Sequence, residues 1–160
     1  MESRRKRSKT LNRVPRPRSA GRVLLRDDQG RVLLIRFVLP SSRAEGMTFW
    51  AAPGGGVEAG ETLLDAARRE LQEELGIAVP LEGPIHTATG IFEFEGELIE
   101  NTDHFFHGRW NGTPVLSGVT ASESAALTEA RWWTIEELEA TREAVFPRDL
   151  AVVLRRLPGL

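Results

Sequence analysis

Residues 48–77, TFWAAPGGGVEAGETLLDAARRELQEELGI, constrain the fold more than any other stretch. TFWAA reads as a short strand that runs straight into Pro53 and the triplet Gly54, Gly55, Gly56. Residues 61–75 then read as a helix, and Gly76 stands where a left-handed C-terminal cap is required. At about 100° per residue, Leu64, Ala67, Leu71 and Leu75 share one face, so this helix has to be covered by an apolar sheet. A strand, a glycine turn held at both ends and a helix folded back on the sheet imply layers of secondary structure.

The same helix carries an unfavourable charge pattern. Glu70 stands three residues before Glu73 and four before Glu74, spacings at which like charges cost a helix some tenths of a kcal/mol per pair. Two of the three, Glu73 and Glu74, also lie in its last turn, where the helix dipole disfavours anions. Arg68 and Arg69 temper the repulsion, and a solvated acidic face accounts for the carboxylates taken alone. The glycines add a second indication, because a backbone without side chains admits a ligand closely. Clustered carboxylates are what a hard divalent cation such as Mg²⁺ requires, and Mg²⁺ is commonly completed by substrate phosphates. The pattern is not a Walker loop, since no Lys followed by Ser or Thr comes after the glycines.

Elsewhere, AGRVLLRDDQGRVLLIRFV is two apolar runs around Asp27-Asp28-Gln29-Gly30, a hairpin signal. IHTATGIFEFEGELIENTDHFFHGRW resembles a second hairpin that turns near Glu95-Gly96. Residues 111–124 are small and polar and read as a loop. ARWWT is a last strand, followed by a helix with Thr134 as N-cap and Glu137 three residues on, a capping box. Pro147 is placed to start a final helix. Of Trp132 and Trp133, adjacent on a strand, one is expected in the core and the other along a cleft. Phe37, Trp50, Phe105 and Phe106 are expected in the core, and His86, His104 and His107 at ordinary strand positions. Strands and helices mix without regular alternation, which predicts an α/β (or α+β) sandwich around a mixed sheet.

The chain has 160 residues, no cysteine and a net charge of −2. This length suits one domain. The missing cysteines exclude disulfides and thiolate chemistry and agree with a cytoplasmic location. No apolar run approaches the roughly 20 residues of a membrane helix. Residues 1–19 hold eight of the 21 Lys and Arg and one of the 23 acids, a net +7, which leaves −9 on residues 20–160. Two units are therefore expected, a flexible basic arm (1–19) and an acidic domain (20–160). The arm offers cations to nucleic acid, which the acidic body disfavours.

Gly55, five residues, Glu61, seven residues, and then Arg69-Glu70-Leu71-Gln72-Glu73-Glu74-Leu75-Gly76-Ile77 match the Nudix box at every fixed position. From about residue 20 to 158 the chain resembles a Nudix hydrolase domain. That resemblance implies an α/β/α sandwich and hydrolysis of a diphosphate linkage in a nucleoside diphosphate derivative with Mg²⁺ or Mn²⁺. It implies metal ligation by Glu70, Glu73 and Glu74, orientation of these carboxylates by Arg69, and support from Glu61. Gly54, Gly55 and Gly56 would form the floor under the diphosphate. The general base is Glu73 within the box, or Glu123 or Glu129 beyond it, with Glu100 and Asp103 as weaker options; Arg36 is a phosphate candidate. Nucleoside or deoxynucleoside triphosphates, oxidised forms included, and nucleotide sugars are the expected substrates. An RNA 5′-end pyrophosphohydrolase and a nucleotide-sensing module that does not cleave are the alternatives. The expected assembly is a monomer or a homodimer.

Overall fold

A computed structural model describes residues 14–38, 47–94, 96–117 and 126–157. Among them are eight strands: β1 (Arg16–Arg26), β2 (Val32–Val38), β3 (Thr48–Ala51), β4 (Gly54–Gly56), β5 (Glu82–Phe94), β6 (Glu97–Arg109), β7 (Ala126–Trp133) and β8 (Val145–Phe146). The helices are α1 (Leu63–Leu75), α2 (Ile135–Ala140) and α3 (Leu150–Arg156). The strands form one mixed sheet in the order β5-β6-β1-β2-β3-β8, with β4 paired to β1 and β7 to β2.

Strand alternation puts successive side chains on opposite faces, and here both faces are buried. Val23, Leu25, Leu33, Ile35 and Phe106 pack under Ala67, Leu71 and Leu75 of α1. Their neighbours Leu24, Val32, Leu34 and Phe105 pack with Leu150 and Leu154 of α3. Continuous apolar runs such as VLLI in β2 are explained by this two-sided burial. Full burial of a leucine contributes about 1.5–3 kcal/mol, so the Leu71 contact alone outweighs the repulsion among the α1 carboxylates. Trp133 lies in the second layer, edge-on to Trp50 at 5.1 Å. Trp132, on the other face, stacks with Trp110 and donates to the Gly112 carbonyl (2.8 Å).

α1 begins two residues into the expected segment, after a capping box between Thr62 and Asp65, and ends at Gly76 with φ 65°. The Thr134–Glu137 capping box opens α2 as its spacing predicts. The last helix starts at Leu150 rather than Pro147. The long second hairpin is present as β5 and β6.

Three features differ from the sequence reading. β1 opens at Arg16, so residues 16–19 of the expected arm are strand and pair with β6 from Arg16↔Ile99 onward; residues 1–13 lie outside the described residues. β1 and β2 share a single register pair, Arg26↔Val32, because β1 turns to β6 and β4 while β2 turns to β3 and β7. The Asp27 carboxylate holds their turn through the N–H groups of Gln29 and Arg31. The glycine triplet is itself a strand, antiparallel to Ala20–Arg22. No helix among the described residues is long and apolar enough to cross a membrane.

Candidate active site

α1 and β4 bring the box residues together. Gly54 is at φ 150°, and a Cβ there would lie 2.3 Å from the Gly21 carbonyl oxygen, so only glycine fits. Its N–H donates to Glu74 Oε1 (2.8 Å). At Gly55 a Cβ would sit 2.5 Å from Glu70 Oε1, so the missing side chain is what admits the Glu70 carboxylate to the strand. Arg69 binds Glu61 with both arms of its guanidinium, Nε to Oε2 (2.7 Å) and Nη2 to Oε1 (3.0 Å). The same guanidinium reaches Glu70 Oε1 (3.0 Å), Glu73 Oε2 (3.3 Å) and the Gly56 carbonyl (3.1 Å). This fork locks the loop before α1, the strand β4 and the helix into one unit. Glu61 also accepts from the Glu58 N–H (2.9 Å).

Burial divides the three helix carboxylates. Glu70 and Glu74 are 8% and 6% exposed, whereas the Glu73 side chain is 61% exposed. Burial, and then the Glu70 charge, push the Glu74 carboxyl up to about 8 against the opposing pull of the Gly54 N–H and Arg22. Burial also raises Glu70, opposed by its hydrogen bond from Arg69. The Arg69 hydrogen bond, with the Glu58 N–H, holds Glu61 below the usual carboxylate range. The site therefore keeps one fixed, ionised support (Glu61) beside two buried acids that repel each other.

Such a donor set suits a hard dication, which takes oxygen ligands and removes the repulsion. The three glutamates do not converge as a three-ligand cluster among the described residues: Glu73 leans to Arg69 instead. Ligation by all three requires Glu73 to exchange that contact for the cation, a rotamer change open to an exposed side chain.

The remaining candidates lie elsewhere. Arg36 of β2 and Glu129 of β7 are register partners and face each other at 3.8 Å. Arg36 lies over the Trp50 ring (5.9 Å) and donates to Thr128 Oγ1 (2.9 Å); with Trp50 it belongs to the sheet face away from α1. Glu123 lies outside the described residues. Glu100 is an exposed residue of β6.

Two contacts escape the sequence reading. The Ser117 N–H donates to the Glu74 carbonyl (2.9 Å) and its hydroxyl to the Glu73 carbonyl (3.0 Å), so the loop after β6 satisfies the end of α1. Arg22 crosses Gly54 and binds Asp103 (2.8 Å) and the Ala52 carbonyl (3.0 Å). Arg16, Arg18 and Arg22, an even number of places apart in RPRSAGR and so on one strand face, were the available signal, obscured by the basic run before them.

The NUDIX domain model matches residues 15–154. The chain belongs to the Nudix family. Nudix hydrolase YfcD of Salmonella typhi is 32% identical over 128 residues, 80% of this chain and 64% of the relative. The chain thus spans less than two thirds of the length of that relative. An RNA pyrophosphohydrolase of Erythrobacter litoralis is 26% identical over 77% of this chain and 79% of its own length. The crystal structure of a MutT protein from Methanosarcina mazei Go1 superposes with a TM-score of 0.65 over 89% of this chain and 93% of that one, at 22% identity. The mixed curled sheet with its flanking helices is accordingly the α/β fold of Nudix proteins. Nudix enzymes generally use divalent metals.

Proposed function

We propose that this Nudix protein is a metal-dependent hydrolase of a phosphoric anhydride bond in nucleoside diphosphate derivatives. The observation that carries the reading is the pair of buried carboxylates, Glu70 and Glu74, fixed against the glycine strand by Arg69 and the Gly54 N–H. Buried like charges this close are unfavourable for stability alone, so their arrangement is explained by a cation. Glu70 and Glu74 would hold Mg²⁺ or Mn²⁺, joined by Glu73. When bound, such an ion neutralises charge on the phosphate oxygens and makes a bound water more acidic.

Each remaining residue has a role that its contacts support. Arg69 sets the Glu70 rotamer through a fork anchored on Glu61, and that anchoring holds the carboxylate in place as substrate charge arrives. Gly54 and Gly55 let both buried carboxylates meet the backbone of β4. Glu73, the exposed carboxylate, is the one with room to take a proton from water, and we assign it as general base ahead of Glu129. Arg36 and Glu129 neutralise each other on the far face of the sheet and have no part in this scheme. The cysteine-free, cation-dependent site agrees with a cytoplasmic enzyme.

The test is a panel of nucleoside and deoxynucleoside triphosphates, oxidised forms and nucleotide sugars, assayed for Mg²⁺-dependent release of phosphate, pyrophosphate or monophosphate. Turnover that EDTA abolishes supports the reading. Tight nucleotide binding with no release across the panel would turn it into a sensing module; the NUDIX domain of Shewanella oneidensis NrtR, solved in complex with ADP ribose, is a structural neighbour at a TM-score of 0.61.

A second reading, hydrolysis at RNA 5′ ends, is favoured by the +7 charge of residues 1–19 and by the Erythrobacter relative. Since β1 begins at Arg16, the informative deletion is residues 1–13. It should weaken turnover of triphosphorylated RNA and spare free nucleotides; equal effects on both would remove this reading.

A further inference from the structure

Outside the carboxylate site, the parallel pair β1/β6 carries a linked polar set on the face turned away from α1. Arg18 Nη1 donates to Asn101 Oδ1 (2.7 Å), the Asn101 amide donates to Asp103 Oδ1 (3.0 Å), and Arg22 Nε donates to that same oxygen (2.8 Å). The register is Arg18↔Asn101, Ala20↔Asp103 and Arg22↔Phe105, and Phe105 belongs to the layer under α3. β4 admits both cations: a Cβ on Gly56 would lie 2.7 Å from Arg18 Nη2, and one on Gly54 2.6 Å from Arg22 Cγ. Guanidinium groups therefore lie on one face of the strand whose other face receives Glu70.

The same face continues onto β5, where it is open. Ala88 stands opposite Asp103, Gly90 opposite Asn101 and Phe92 opposite Ile99. A Cβ on Gly90 would meet nothing within 4 Å, and Phe92 is 44% exposed. Asn101 is itself only 8% exposed. An amide has two N–H donors, and the second of Asn101 has no acceptor among the described residues. Beside open space, that donor is available to an acceptor on a ligand. From β4 to β5 is three inter-strand steps, about 14 Å at roughly 4.8 Å each, comparable to the reach of a nucleoside diphosphate from base to terminal phosphate.

We propose that this face seats the nucleoside half of the substrate, with a planar heterocycle over Gly90 against Phe92 and hydrogen-bonded by Asn101. Arg18 takes an oxygen of the phosphate chain as it crosses β4. β4 pairs with β1, and its Gly54 N–H is directed to Glu74, so phosphates passing over it arrive at the carboxylates. This inference rests on the nucleotide reading above and adds the surface that recognises the nucleoside.

Gly90→Leu is the decisive variant, because its side chain enters open space and disturbs no packed neighbour. Thr87→Leu, exposed on the opposite face of the same strand, is the control. Calorimetric titration with ADP and with inorganic pyrophosphate, in Mg²⁺, is paired with melting temperature and Mn²⁺ affinity by electron paramagnetic resonance. Gly90→Leu should weaken ADP at least tenfold and leave pyrophosphate, Mn²⁺ and melting within error, while Thr87→Leu changes none of them. Arg18→Met should weaken both ADP and pyrophosphate. Unchanged ADP affinity in Gly90→Leu, equal losses for ADP and pyrophosphate in it, or a parent protein that does not bind ADP would each overturn the assignment. A parent that binds ADP in a Gly90→Leu-sensitive way yet releases no phosphate from any substrate keeps this surface and refutes only the hydrolase reading.

Discussion

Glu74→Gln separates the cost of the site from its purpose. The folded-state carboxyl titrates at about 8, against an ordinary value of 4.5. A carboxyl raised on folding stabilises the native state fully below pH 4.5, and that contribution is lost as pH rises towards 8. At about 1.4 kcal/mol per unit, the loss is about 3 kcal/mol at pH 7 and about 5 kcal/mol above pH 8, both to order of magnitude. Glutamine mimics the protonated acid at every pH, and its amide oxygen keeps the bond from the Gly54 N–H. In EDTA, the variant should therefore melt with the parent near pH 4.5 and increasingly above it as pH rises.

Magnesium should reverse the ranking. A ligand that binds only the native state adds RT ln(1 + [L]/Kd), about 2.7 kcal/mol at one hundred times Kd. The parent should show that shift more strongly at pH 8 than at pH 6, because the proton on Glu74 competes with the ion. The variant should show little shift and lose Mg²⁺-dependent turnover. Thermal melts at pH 5, 7 and 9, each in EDTA and in Mg²⁺, read both effects. A variant with the parent's pH slope in EDTA would refute the burial argument, and one with the parent's Mg²⁺ shift and turnover would refute Glu74 as a ligand.

Arg69→Lys should lose the paired contact with Glu61 and the reach to Gly56, costing about 1–3 kcal/mol in urea titrations, with lower turnover; a parent-like midpoint would show the fork to be dispensable. Gly55→Ala should push Glu70 out of its place, since the new Cβ would stand 2.5 Å from Oε1; Mn²⁺ affinity measured by electron paramagnetic resonance should fall about tenfold or more, roughly 1.4 kcal/mol, and an unchanged affinity would contradict Glu70 as a ligand. Glu129→Gln should change stability by less than about 1 kcal/mol and leave kcat within a factor of about three, because its partner is Arg36 on the far face; a large loss in kcat would transfer the general base from Glu73 to Glu129.

What the sequence made legible follows from how locally each feature is determined. The C-terminal end of α1, its Gly76 cap and the Thr134 capping box depend on neighbours in the chain, and the structure has them where the residues predict. Glu70 and Glu74 were legible as a cluster but not as buried, because nothing in a helical wheel says that Gly55 leaves a space for one carboxylate and Gly54 an N–H for the other. The parting of β1 from β2 was illegible for a related reason. A hairpin signal reports the turn at Asp27–Gly30, while the strands beyond it are directed by partners outside the hairpin, such as Gly56 for Ala20 and Ile99 for Arg16. The polar set at Arg18, Arg22, Asn101 and Asp103 is likewise long-range, joining residues 81–83 apart across the two strands.

These long-range contacts alter what the glycine triplet does. β4 is an extended, paired strand, held to Ala20–Arg22 on one side. Its three missing side chains are instead filled from elsewhere: Arg22 lies against Gly54, the Glu70 carboxylate against Gly55 and the Arg18 guanidinium against Gly56. Alternation along the strand sends the two cations to one face and the anion to the other, with only a backbone between them. The Arg22 charge acts on Glu70 and Glu74 through the strand and opposes the rise that burial gives both carboxyls. In the proposed site, a phosphate chain and its cation would therefore pass a strand whose bare backbone separates Glu70 from Arg18 and Arg22.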